Sequence, residues 1–146
     1  KDSSGNIVSN SNYMVTYPKG RINVGSYTVK VTFKGDYSGS KNLTFKINPK
    51  ATTVRKVVVA SRKLTVTLKK QATQSTGYEV QVATNNKFTK NLKTTTITKN
   101  SKTSVSINSL KGNTPYYVRV RTYKKVGRKK FYSDWKVYSK KVKTKK

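Results

Sequence analysis

Residues 116 to 125, YYVRVRTYKK, put Tyr116, Val118, Val120 and Thr122 on one side of an extended chain and Tyr117, Arg119, Arg121 and Tyr123 on the other. This period of two constrains the fold more than any other feature, because successive side chains of a β-strand point to opposite faces. The pattern recurs upstream. GSYTVKVTFKG sets Tyr27, Val29, Val31 and Phe33 against Thr28, Lys30, Thr32 and Lys34, while NYMVTYP aligns Tyr13, Val15 and Tyr17, and NLTFKIN aligns Leu43, Phe45 and Ile47. Turn-forming stretches, DSSGN, PKGRINVG and KGDYSGS, separate these segments, and no helical period is found. After NPKATT, a short stiff junction around Pro49, come RKVVVAS, KLTVTLKK, GYEVQVAT, KTTTITK, SVSINSL, YYVRVRTY and FYSDWKVYSKKVKT. Seven short strands between turns predict a β-sandwich. Its expected core is Leu64, Val66, Leu68, Tyr78, Val80, Val82, Ile97, Val105, Ile107, Tyr116, Val118 and Val120.

What the chain lacks removes most chemistry. It has no histidine and no cysteine, so triad catalysis, disulfides and the usual zinc and iron sites are excluded. The only acids are Asp2, Asp36, Glu79 and Asp134. Four scattered carboxylates do not make a calcium cage or the facing pair of a glycosidase. No glycine-rich phosphate loop is present either. No catalytic residue, metal ligand or cofactor is therefore expected, and no enzyme. Glu79 lies between the inward residues Tyr78 and Val80, so it should point outward. That argues against its service as the buried acid of a Lys–Asn crosslink. No apolar run approaches the roughly 18 residues of a membrane span, so membrane insertion is not expected.

The remaining signal is charge. Residues 1 to 50 carry a net +6 and residues 51 to 146 a net +23. Such an excess favours encounters with polyanions, and it also serves plain solubility. The tail KVYSKKVKTKK reads either as a lysine-protected edge strand or as an electrostatic tether.

Two stretches carry family resemblances. Residues 1 to 48, with an acidic-Gly turn, a Y-x-V-x-Y strand, N-V-G-x-Y-x-V and G-x-Y-x-G before a final F-x-I, resemble the C-terminal part of an immunoglobulin-like repeat of Gram-positive surface proteins. Such repeats are longer, so an apolar face and a strand edge should stand exposed, with Lys1 a cleavage or cloning boundary, or a neighbouring chain completing the sheet. Residues 51 to 146 resemble a fibronectin type III domain through SINSLKGNTPYYVRV, where Leu110 precedes a turn and Tyr116 opens a strand as in a tyrosine corner. Leu68 stands where the family usually has tryptophan, and the single tryptophan, Trp135, should cover one end of the core.

The expected fold is thus all-β: two tandem β-sandwich modules of immunoglobulin-like type, the first incomplete. They span residues 1–48 and 54–146, with a linker at 49–53. The resemblance implies a secreted or bacterial cell-surface protein. In it this segment would be a non-catalytic spacer that presents upstream domains of the same chain and holds to anionic cell-wall polymers. Two alternatives stand beside it: an adhesin-type module for host glycan, mucin or matrix protein, and an accessory domain contacting an extracellular enzyme's substrate. The candidate ligand face is Tyr117, Arg119, Arg121, Tyr123, Arg128 and Lys130, suited to an acidic glycan or wall polymer. It equally suits cross-strand packing. Specific nucleic-acid recognition is not expected, and no RGD occurs.

Overall fold

The alternating segments all become antiparallel strands in the computed structural model, which describes residues 1–146. The chain divides into two units, Lys1–Ile47 and Asn48–Lys146.

The first unit opens with a turn built on Asp2, whose carboxylate accepts from the amides of Ser4 at 3.0 Å and Asn6 at 2.8 Å. The bond from Asn6 is the main reason that this carboxyl sits below its ordinary range. A 3-10 turn at Asn10–Asn12 leads into β1 (Tyr13–Thr16), which pairs with β2 (Gly25–Phe33), and β2 with β3 (Ser40–Ile47). The register puts Tyr13 opposite Phe33, Val15 opposite Val31, Val29 opposite Leu43 and Tyr27 opposite Phe45. Apolar side chains therefore share one face. That face is thinly covered: Val29 is buried, whereas Tyr17 and Leu43 are 56% and 48% exposed. Between Val8 and the strands runs a groove of about 540 Å³. One sheet of three strands has no second layer within this unit, so its apolar side is only partly covered.

The second unit holds β4 (Val54–Ala60), β5 (Lys63–Leu68), β6 (Gly77–Ala83), β7 (Lys93–Ile97), β8 (Ser104–Ile107), β9 (Pro115–Val126), β10 (Lys129–Tyr132), β11 (Lys136–Val137) and β12 (Val142–Lys143). One sheet has the order β4-β5-β8. The other has β10-β9-β6-β7, with β11 and β12 also pairing with β9. Leu64, Val66, Leu68 and Ile107 from the first sheet meet Tyr78, Val80, Val82, Ile97, Val118 and Val120 from the second in one core. Every residue expected in that core is buried except Val105, which packs partly exposed against it, and Leu110 joins it. Tyr116 is 1% exposed, and its phenol oxygen accepts from the amide of Lys111 at 3.0 Å, five residues back. A second buried tyrosine is anchored likewise. The Tyr78 hydroxyl donates to the carbonyl of Asn100 at 2.9 Å and accepts from the amide of Gln71 at 2.8 Å.

Two boundaries differ from the sequence reading. Residues 51–53, read as linker, are tied to the second unit: Ala51 accepts from the Gln71 side chain, the Thr52 hydroxyl donates to Lys69, and Thr53 accepts from the Lys69 amide. The single last strand is in fact three pieces. Tyr132 sits opposite Tyr123 but Lys136 opposite Val120, so one extra residue is inserted, a β-bulge at Ser133–Trp135. Ser133 fills the gap, its hydroxyl accepting from the Thr122 amide at 2.9 Å and its own amide donating to the Thr122 carbonyl at 3.0 Å.

Two positions nearby are sharply constrained. At Gly77 a Cβ would sit 1.9 Å from the Ile97 carbonyl oxygen, so only glycine permits that approach of β6 to β7. The Thr122 hydroxyl is buried without a hydrogen-bond partner, which costs its desolvation with no return. Urea unfolding should accordingly show Gly77→Ala losing roughly 2 kcal/mol or more and Thr122→Val gaining about 1 kcal/mol. A neutral Gly77→Ala or a destabilised Thr122→Val would contradict this packing.

Candidate functional site

The outward face of β9 was the candidate ligand platform. Its odd-numbered residues stand opposite the outward residues of β6: Arg119 faces Gln81 and Arg121 faces Glu79. Cross-strand neighbours on one face lie about 5 Å apart, close enough for direct side-chain bonds. The Arg119 Nε donates to Gln81 Oε1 at 2.8 Å. Arg121 donates through Nε at 2.9 Å and Nη2 at 2.6 Å to one carboxylate oxygen of Glu79.

The bulge then lays an aromatic side chain over this pair. The Arg119 guanidinium lies 4.3 Å from the Phe88 ring centre and 4.5 Å from that of Trp135. Arg121 lies 4.4 Å from Trp135 and 3.7 Å from Tyr132. Tyr132 packs at 6.2 Å on Tyr123, and the Lys130 ammonium stands 4.9 Å above Tyr123. Rings and cations therefore alternate along one face from Phe88 through Arg119, Trp135 and Arg121 to Tyr132, and the paired ring of Tyr123 then carries Lys130. A guanidinium is planar and weakly hydrated, so it can sit between two rings where an ammonium would lose more hydration. Each such contact contributes on the order of 0.5–2 kcal/mol, more as water is excluded.

The ladder gives β6 a second buried face. Glu79 is 8% exposed although it points away from the core. Its outward direction follows the expected alternation, and its burial does not, because Arg121 closes over it. Burial, then the neighbouring Arg121 charge, push the Arg119 pKa down. Burial, then Glu79, push the phenols of Tyr123 and Tyr132 up.

The residues singled out from the sequence separate into three places. Arg119 and Arg121 are the cations of the ladder. Tyr117 is half-buried at its end, with the Lys141 ammonium 5.5 Å from its ring, and Tyr123 is only 3% exposed, so it is no part of an open platform. Tyr132 and Lys130 of β10 cover it. Arg128 and Lys130 are exposed on the β9–β10 hairpin beyond. Trp135 does not cover an end of the core, because the bulge turns it onto the outer face. Leu68, Leu110 and Tyr116 lie in the core. Sequence reasoning missed Phe88, Gln81 and Tyr132. An isolated aromatic in the polar loop NNKFTKN was the available clue for Phe88, which is 4% exposed.

Two measurements probe the ladder. Trp135→Ala should lower stability by about 2 kcal/mol, less than a core truncation because the ring is half exposed, and Trp135→Phe should recover part of it. A loss below roughly 0.5 kcal/mol would mean the ring only lies on the surface. Tyr123 and Tyr132 hold their protons more tightly folded than unfolded, since both titrate above the ordinary 10.0. Their contribution is therefore complete below pH 10 and is lost as pH rises through the folded values. Ultraviolet titration should show phenols ionising late, fewer of them in Tyr132→Phe. An unchanged curve in that variant would refute the assignment.

Residues 48–136 match the family model of the fibronectin type III domain. Among solved structures, the crystal structure of the FN1–FN3 domains of chicken CNTN1 is similar, with a TM-score of 0.56 and 20% sequence identity. The likeness covers 85% of this chain and 44% of that one, and at such identity it speaks for the fold alone. No curated protein matches the chain. The sandwich, the anchored Tyr116 and the family match together place this chain in the fibronectin type III family.

Proposed function

We propose that the chain is a non-catalytic spacing and anchoring segment of a larger secreted bacterial protein, holding to anionic cell-wall polymers by charge. Fibronectin type III domains are a non-catalytic module type, common in extracellular and cell-surface proteins as spacers or binding domains. No helix here is long and apolar enough to cross a membrane. In this reading residues 1–47 are the closing strands of a bacterial immunoglobulin-like repeat. Their open apolar face supports it, since a full repeat supplies a second layer.

The observation that carries the reading is uncompensated charge. Residues 51–146 hold a net +23, and of their two acids Glu79 already serves Arg121. Apart from Arg119, packed against its rings, and half-buried Lys63 and Lys124, the remaining cations are exposed, which favours a polyanionic neighbour. An adhesin that stacks sugar rings on the β9 face finds less support, because guanidinium groups occupy the ring faces of Phe88, Trp135 and Tyr132.

The test is retention of the chain on Gram-positive cell walls with and without their teichoic acid, across a salt series. Retention should require the polymer and fall steeply toward physiological salt, where the Debye length is about 8 Å. Equal retention on stripped walls, or retention indifferent to salt, would refute the proposal.

A further inference from the structure

We infer that the cavity between the β4–β5 turn and the loop after β8 binds one unit of an acyclic polyol phosphate. This deepens the anchoring reading and rests on it, giving an anionic wall polymer one defined seat on the second unit. The cavity holds about 430 Å³, within the roughly 300–1,000 Å³ of small-ligand sites. It is lined by Ser61, Arg62, Lys63, Asn108, Ser109 and Leu110.

Two loops build it. Ala60 pairs with Lys63, so Ser61 and Arg62 alone form the turn between β4 and β5, and residues 108–110 follow β8. The Leu110 amide donates to the Arg62 carbonyl at 2.9 Å, and the Arg62 amide donates to the Lys145 carbonyl at 3.4 Å. The Lys93 ammonium donates to the carbonyls of Asn108 at 3.1 Å and Ser109 at 2.6 Å. These bonds hold both loops before any ligand arrives, which lowers the ordering cost of binding. They also occupy carbonyl oxygens that would otherwise repel an anion. The side chains are left over. Those of Ser61, Arg62, Lys63, Asn108 and Ser109 make no hydrogen bond, ion pair or ring contact within the chain, and no acid lines the cavity. Arg62 stands at φ 50° and Ser109 at φ 55°, a left-handed conformation that is costly for a residue with a Cβ. Folding alone would favour glycine in the turn; arginine there brings a cation to the cavity at the expense of stability.

The lining selects the occupant. The planar fork of Arg62 and the ammonium of Lys63 suit the oxygens of a phosphate. Two serine hydroxyls and the Asn108 amide both donate and accept, so they match hydroxyl groups on the carbons beside that phosphate. No aromatic ring lines the cavity, so a nucleic-acid base has nothing to stack on. A sugar ring likewise meets no flat apolar face, since the one apolar side chain, Leu110, is buried. An open-chain polyol phosphate uses the donors and asks for no ring.

Two measurements on the full chain test this. In amide NMR spectra, glycerol phosphate should shift the signals of Arg62, Lys63 and Ser109 at concentrations about tenfold below those that inorganic phosphate requires. An equal response to inorganic phosphate would overturn the polyol as occupant, and no shift at these amides would overturn the site. Binding to poly(glycerol phosphate) is then compared for the unaltered chain, for R62G/K63Q and for K125Q/K129Q, which removes the same charge at the far end of β9. R62G/K63Q should bind about tenfold more weakly. It should unfold at no lower urea concentration, since glycine takes the Arg62 conformation freely, so the loss of binding is not a loss of fold. K125Q/K129Q should change by less than about threefold. Equal losses in both variants would overturn the site while leaving diffuse anchoring intact. A loss of heparin binding in R62G/K63Q as large as the loss for poly(glycerol phosphate) would overturn the choice of occupant. No binding of the unaltered chain to poly(glycerol phosphate) at low salt would remove the anchoring reading and the site together.

Discussion

β9 is the strand on which the second unit depends, because both of its faces are committed. Its inner side chains, Tyr116, Val118, Val120 and Thr122, are at most 1% exposed and close the core against β5 and β8. Its outer side chains, Arg119 and Arg121, seat the ladder. It pairs with β6, β10, β11 and β12, so every strand of that sheet except β7 takes its register from it. A slip of one residue would exchange valines for arginines across the core. The cost of burying those charges is what holds the register.

The ladder resolves a difficulty that the composition creates. A small sandwich with a net +23 has strong self-repulsion, and placing two arginines two residues apart on one strand would add to it. Two rings against each guanidinium and a carboxylate on Arg121 turn these two charges into packing material. Their long side chains cover β6 as apolar residues would, with their charge screened by ring faces rather than by water. The hairpin tip shows the opposite treatment, with Lys125, Arg128 and Lys129 exposed and no carboxylate beside them. One sheet thus carries compensated and uncompensated charge side by side. That division separates a structural surface from a surface able to attract a partner.

The two units bury their apolar faces unequally. In the second, two sheets face each other and the apolar residues vanish inside. In the first, a single sheet presents the same alternation with Tyr17 and Leu43 still largely exposed. Alternation determines which side is apolar, but only a second layer can bury it.

Strand existence, face assignment and the core were legible in the chain because each depends on the local two-residue period. Leu110 and Tyr116 were legible for a related reason: a leucine, a turn and a strand-opening tyrosine form a local motif whose hydrogen bond spans five residues. Trp135, Phe88 and Glu79 were not. Trp135 reaches the outer face through a single inserted residue in the bulge, a count made only when β10 and β11 both pair with β9. Phe88 arrives from another loop, and Glu79 is buried by an arginine 42 positions away. The order of residues along the chain is enough to specify the all-β class, the inward residues and the excess of positive charge, since these are properties of composition and of near neighbours. Which of those charges are spent within the fold and which are left facing water is settled by packing, because it depends on rings and a carboxylate that meet the arginines across strands.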